Sequence, residues 1–198
     1  MVPDQRETPR HIGLGLVGSR VRLDPVDDRT TAEFAGLDVQ RQLEPLVGST
    51  SEAGSPAIAP PMIVRDRRSG RAVGVVQNHA QPGGIAVLVV YLDPRSRRVG
   101  FGFEAILLYV SHLFDSGARL VTSEVLEFNH EMNGIMRKNG LSPQARMREH
   151  QFIAGRFWDL LIYSLDRQAW LEIVDRYRPI LPGGRRTPKS IGAQRPKY

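Results

Sequence analysis

Apolar positions recur along this chain in two rhythms, and the changes between them place the elements. Arg20-Val-Arg-Leu alternates with the period of a strand, and Ile85 to Leu92 is an unbroken apolar run of strand length. Met62-Ile-Val-Arg-Asp and Ala72-Val-Gly-Val-Val-Gln read as two more short strands, joined by a turn at Arg-Arg-Ser-Gly. Gln81-Pro-Gly-Gly84 then turns the chain into the 85–92 run, so the three strands form a meander. From Phe101 to about Ser116 the spacing becomes helical, with Ile106, Leu107, Val110 and Phe114 on one face. A strand over Arg119 to Leu126 follows, then a short helix opened by Asn129, then a hairpin of Arg146 to Ile153 and Phe157 to Leu165 about Ala154-Gly155. Arg167 to about Tyr177 sets Trp170, Ile173, Val174 and Tyr177 at helical spacing, which reads as core or dimer contact. Near the start, Asp27 or Asp28 can cap a helix over Arg29 to Leu37, and residues 46–61, rich in Gly, Pro and small side chains, read as a loop. The simplest packing of this order is a mixed α/β (α+β) domain with a strongly twisted, predominantly antiparallel sheet.

The length of 198 residues suits one domain with its own core. Residues 1–16 read as a flexible lead-in, 17–178 as the domain and 179–198 as a tail. The formal charge of +6 belongs mostly to that tail, where Arg185, Arg186, Lys189, Arg195 and Lys197 stand without acids. Such a Pro/Gly-rich segment reads as disordered and solvated, or as a docking arm for something acidic, a carrier protein or RNA. The chain has no cysteine, which removes disulfides, thiolate metal sites and a Cys nucleophile. Its first residues lack an apolar signal core and no apolar run nears the length of a bilayer, so no membrane is expected and the expected location is cytoplasmic.

The densest chemical signal is Arg97-Arg-Val-Gly100-Phe-Gly102, between a strand and a helix start. Glycines allow a ligand close to the backbone, and the amides of a helix's first turn attract anions. A diphosphate fits this seat, and a side chain at Gly102 would crowd it. The spacing Gly100-x-Gly102-x-x-Ala105, with Glu124 downstream, also satisfies a dinucleotide fingerprint. That fingerprint needs the strand to run almost directly into the first glycine, whereas Asp93 to Val99 intervenes here.

Three segments in order resemble the GNAT superfamily of N-acyltransferases. Arg97 to Gly102, after a Pro-containing link at Asp93-Pro94, resembles its acyl-CoA-binding loop. Asn129 opening a short helix that closes at Arg137-Lys138-Asn139-Gly140-Leu141 resembles the next landmark. Arg156 to Leu165 and the helix containing Trp170 resemble the last strand and helix of the branch that holds the ribosomal-protein N-terminal acetyltransferases. The resemblance implies a sheet of about seven strands flanked by helices, with a splay between the strands at 85–92 and 119–126. It implies acetyl-CoA or another acyl-CoA as co-substrate, and an acceptor amine on a small molecule or a peptide N-terminus. The pantetheine arm would lie along main-chain groups of Val90 and Leu92, with a backbone amide near Leu92 as oxyanion donor. The diphosphate would sit on the amides of Arg98, Val99, Gly100, Phe101, Gly102 and Phe103, with Arg97 and Arg98 adding charge. Asn129 would contact the pantetheine side, cap its helix, or do both.

Proton handling departs from the family pattern. The tyrosine many members place four residues before the closing Gly is Met136 here, and the branch's glutamate position is Val87. Glu124 is the general-base candidate, its alternative being a surface or salt-bridged residue. Glu127 and His130 follow it as candidates or as solvated residues at a helix start, and Glu104 reads as support for the helix dipole. No spacing suits a metal. The missing tyrosine and glutamate leave a second reading, a catalytically weak acyl-CoA-binding or scaffold protein, and the tail a third, an acyltransferase for carrier- or RNA-linked substrates. The chain reads as a monomer or homodimer.

Overall fold

The structure, a computed structural model, describes residues 15–26, 30 and 57–177, without the side chains of residues 97–99. The predicted helix over Arg29 to Leu37, its capping Asp27 or Asp28, most of the 46–61 loop, the lead-in before residue 15 and the basic tail lie outside the described residues. Within them the chain runs β1 (Leu16–Val17), β2 (Val21–Pro25), β3 (Met62–Asp66), β4 (Ala72–Gln81), β5 (Ile85–Leu92), a 3-10 helix (Pro94–Val99), α1 (Phe101–Asp115), β6 (Leu120–Leu126), α2 (His130–Lys138), β7 (Ala145–Ile153), β8 (Arg156–Asp166) and α3 (Arg167–Tyr177). No helix among the described residues is long and apolar enough to cross a membrane.

The strands form one sheet in the order β1-β2-β3-β4-β5-β6-β8-β7. β5 and β6 are parallel because α1 carries the chain across between them; every other neighbouring pair is antiparallel. The expected class is therefore found, with eight strands in the sheet. The extra strand is β1, whose Leu16 pairs with Leu23, so the sheet reaches into the segment read as lead-in. Arg20 is not in a strand but in the turn before Val21, and Asp93 to Val99 is not a plain loop. Asp93 caps the 3-10 helix by accepting from the Arg95 amide at 2.9 Å, and Pro94 suits its first turn.

α1 supplies the centre of the core: Ala105, Leu107, Tyr109 and Leu113 are fully buried against residues of β2 to β5. Trp170 and Ile173 of α3 join the same core, with Val174 and Tyr177 packed on it, and the Trp170 indole donates to Ser111 Oγ at 3.0 Å. One polar pair is enclosed there. Asn78 Nδ2 donates to Tyr109 Oη at 2.8 Å and to the Ala59 carbonyl at 2.7 Å, while the Tyr109 hydroxyl donates to the Pro60 carbonyl at 3.0 Å. Each group thereby recovers the bonds it would make in water. At the β7–β8 turn, Ala154 (φ 51°) and Gly155 (φ 84°) both take left-handed backbone, the geometry that two-residue hairpins favour.

Candidate functional site

The parallel junction of the sheet opens partway along. β5 and β6 pair only from Ile85 opposite Leu120 to Leu88 opposite Ser123. Beyond that, β5 stays paired with β4 as far as Leu92, and β6 with β8 as far as Leu126. Each half of the sheet continues and the junction alone parts, which is the splay the resemblance implied. The Asp93 amide donates to the Val73 carbonyl at 2.8 Å. By strand alternation the main-chain groups of Tyr91 and Val89 then also point at β4, and those of Val90 and Leu92 point toward the gap. That edge is shaped to take an extended chain as a further strand.

At the wide end of the gap the chain enters α1. Gly100 (φ 75°, ψ 11°) ends the 3-10 helix in left-handed backbone and begins α1, whose first turn has no side-chain cap. A non-glycine residue would be strained there. Gly102 lines the cleft and also has a packing role. Its missing Cβ would meet Leu92 Cδ1 at 2.6 Å, so this glycine lets α1 rest on the Leu92 side chain of β5. Arg97, Arg98 and Val99 lie in the 3-10 helix by their backbone.

α2 brings a second helix start to the same place. Asn129 caps it, Oδ1 accepting from the Met132 amide at 3.1 Å. Asn129, His130, Glu131 and Met132 line one cleft of about 440 Å³ together with Val90, Leu92, Gly100, Gly102 and Phe103. Two helix N-termini, each with partial positive charge, thus face one cavity. A smaller space of about 80 Å³ at the fork itself is lined by Val87, Val89, Val90, Ser123, Glu124 and Asn129. A narrow slot of mixed apolar and polar lining, leading into a wider mouth with two helix starts, suits a slim arm ending in phosphates.

The acid and base candidates separate. Glu124 borders the slot and is exposed, and its side chain makes no hydrogen bond or ion pair among the described residues. It alternates with Val125, which packs on Met136 and Tyr163, so Glu124 faces away from α2. Glu127 is engaged by Arg146 at 3.0 Å, and Arg146 also grips Asp159. His130 is exposed at the cleft wall. Glu104 does not merely face the helix dipole: it is buried and bonded to Ser19 and Arg20.

Two arrangements had no signal in the sequence. The Tyr163 hydroxyl donates to Asn133 Oδ1 at 2.9 Å, and Asn133 Nδ2 donates to the carbonyls of Leu126 and Glu127 at 3.1 and 3.2 Å, tying the end of β6 to α2. Burial raises the Tyr163 phenol above its ordinary pKa, with the Arg137 charge acting in opposition. Beside the cleft, Phe128 meets Trp158 edge-on at 4.7 Å, and the Arg156 guanidinium lies over the Trp158 ring.

No family model matches the chain, and no curated protein does. Solved structures share its fold. A GCN5-related N-acetyltransferase from Brucella melitensis superimposes with a TM-score of 0.64 at 21% identity, over 88% of each chain. RimJ from Mycobacterium smegmatis, in complex with CoA-disulfide, gives 0.62 at 17% identity, over 83% of this chain and 94% of its own. A ribosomal-protein-S5-alanine acetyltransferase from Vibrio fischeri gives 0.62 at 12% identity, over 79% and 98%. The resemblance read from three sequence segments therefore holds at the level of fold: this is the GNAT fold.

Proposed function

We propose that the protein is an acyl-CoA-dependent N-acyltransferase, most simply an acetyltransferase, acting on a primary amine of a small molecule or a peptide N-terminus. The observation that carries this is the parted β5–β6 junction leading into a cleft faced by the starts of α1 and α2. The residues present suit the co-substrate: edge groups of Val90 and Leu92 for the arm, and the glycine-bounded amides from Gly100 to Phe103, with Arg97 and Arg98, for the diphosphate. Asn129 borders both compartments and would meet the arm where they join.

A thioester arrives already activated, so the protein's work is placement and proton transfer. The amine nitrogen bonds to the thioester carbonyl carbon, the carbon–sulfur bond breaks, the thiolate leaves and takes up a proton, and the amine gives up one. In this reading the main-chain amide near Leu92 polarises the carbonyl oxygen. Glu124, unpaired at the slot, takes the amine proton directly or through one water.

A second reading is favoured by Met136 and Val87, which place only apolar groups where proton-handling side chains were expected: a GNAT-fold protein that binds acyl-CoA without turnover. Thiol release from acetyl-CoA over a panel of amines and peptides, with Glu124→Gln alongside, separates the two. The enzyme reading expects release with at least one acceptor and a loss of about 100-fold in Glu124→Gln. Thermal stabilisation by CoA without thiol release from any acceptor would favour the binding protein.

A further inference from the structure

The turn between β1 and β2, Gly18-Ser19-Arg20, is fastened to the first turn of α1. Glu104 Oε1 accepts from the Arg20 amide at 2.9 Å and from the Ser19 hydroxyl at 3.1 Å, and Glu104 is only 3% exposed. Gly18 is required by this contact, because a Cβ there would overlap Glu104 Oε1. From the other side, Arg67 Nη1 donates to the carbonyls of Gly18 at 2.6 Å and Ser19 at 3.3 Å, and the Arg67 amide donates to the Arg20 carbonyl at 2.8 Å. A turn gripped by a buried carboxylate and a guanidinium presents its outer side chain from a fixed base.

That side chain reaches Gly100, at the edge of the cleft. Arg20 is exposed, and its Nη1 lies where a Cβ on Gly100 would come within 2.9 Å. Gly100 lines the cleft and opens α1. A carboxylate in the first turn of an anion-binding helix would oppose a phosphate at short range. Here its oxygen is instead occupied by the turn that delivers a guanidinium to the same corner.

We infer that Arg20 is a ligand for the diphosphate of the CoA substrate, carried to Gly100 by the β1–β2 turn, with Glu104 as its positioning residue; this rests on the acyl-CoA reading above. A guanidinium fork matches a pair of phosphate oxygens, and its charge-assisted bonds are strong enough to be read in affinity.

Calorimetric titration of CoA and dephospho-CoA into the wild type and variants tests this, circular dichroism confirming that each variant is folded. The two ligands share the diphosphate and differ at the 3′-phosphate. Arg20→Gln is expected to raise Kd for both by the same factor, about tenfold. Unchanged affinities overturn the inference, and a loss confined to CoA overturns it by moving the contact to the 3′-phosphate. Glu104→Gln keeps an acceptor oxygen and is expected to bind near wild-type strength, whereas Glu104→Ala weakens binding as Arg20→Gln does. In the Arg20→Gln background Glu104→Ala should add nothing; a further loss there would show that Glu104 acts through the fold and would overturn its positioning role. If the wild type binds neither ligand, the acyl-CoA reading itself fails, a different result from a wild type that binds while Arg20→Gln binds equally well.

Discussion

The Cβ that Gly102 lacks would fall 2.6 Å from Leu92 Cδ1, so α1 and β5 meet at a contact fitted to glycine. Gly74 flanks the same side chain from β4, where a Cβ would come 2.6 Å from Leu92 Cδ2. The last residue of the strand that borders the cleft is thus located by two absent side chains. Gly102→Ala is expected to lower stability by about 1–3 kcal/mol through overpacking, and to weaken CoA binding by displacing Leu92. Denaturant unfolding and a CoA titration on the same sample check both.

Asn129 caps α2 and lines the cleft, and substitution can separate the two roles. Asn129→Ala should destabilise by about 1 kcal/mol, while Asn129→Ser keeps a capping oxygen and most of the stability. CoA affinity is expected to fall in both variants. Full affinity in Asn129→Ser would assign the residue to capping alone.

Tyr163 and Asn133 hold the carbonyls of Leu126, the last residue of β6, and of Glu127 just after it against α2. Tyr163→Phe removes one bond and should cost about 1 kcal/mol, whereas Asn133→Ala releases both carbonyls and should cost about 2 kcal/mol. Because those carbonyls end the strand that forms one arm of the fork, acyl-CoA KM should rise more in Asn133→Ala than in Tyr163→Phe, as steady-state kinetics with any accepted amine would measure.

Desolvation in the core pushes the Tyr109 phenol from 10.0 up to about 12, against the opposing hydrogen bond from Asn78. The folded protein therefore keeps this proton after the unfolded chain has lost it. The corresponding stability is fully present below pH 10 and is lost as pH rises from there through about 12. About 3 kcal/mol is expected to disappear across that window, and Tyr109→Phe should flatten the decline. Thermal melts at stepped alkaline pH measure the difference.

How much of this was legible depended on how local each cause is. The bounds of α3, the Asn129 cap and the Ala154-Gly155 turn follow from side chains within one turn of the chain, and the structure has them where the sequence placed them. The 3-10 helix at Pro94–Val99 escaped because six polar-rich residues are too few to show a period, although Asp93-Pro94 marks its start. The fork left no trace in the apolar pattern and was implied only by the family resemblance, since Val89 to Leu92 is as apolar as Ile85 to Leu88 and only pairing distinguishes them. Glu104 looked like a dipole partner because its real partners, Ser19 and Arg20, lie far away in sequence.

Backbone amide shifts followed by NMR during a CoA titration test the central claim most directly, because they report which edge and which helix start meet the ligand. Saturable shifts concentrated at Val90, Leu92, Gly100, Gly102 and Asn129 are the expected result, with an affinity on the order of micromolar. An unperturbed spectrum at millimolar CoA, or shifts gathered elsewhere on the sheet, would contradict it.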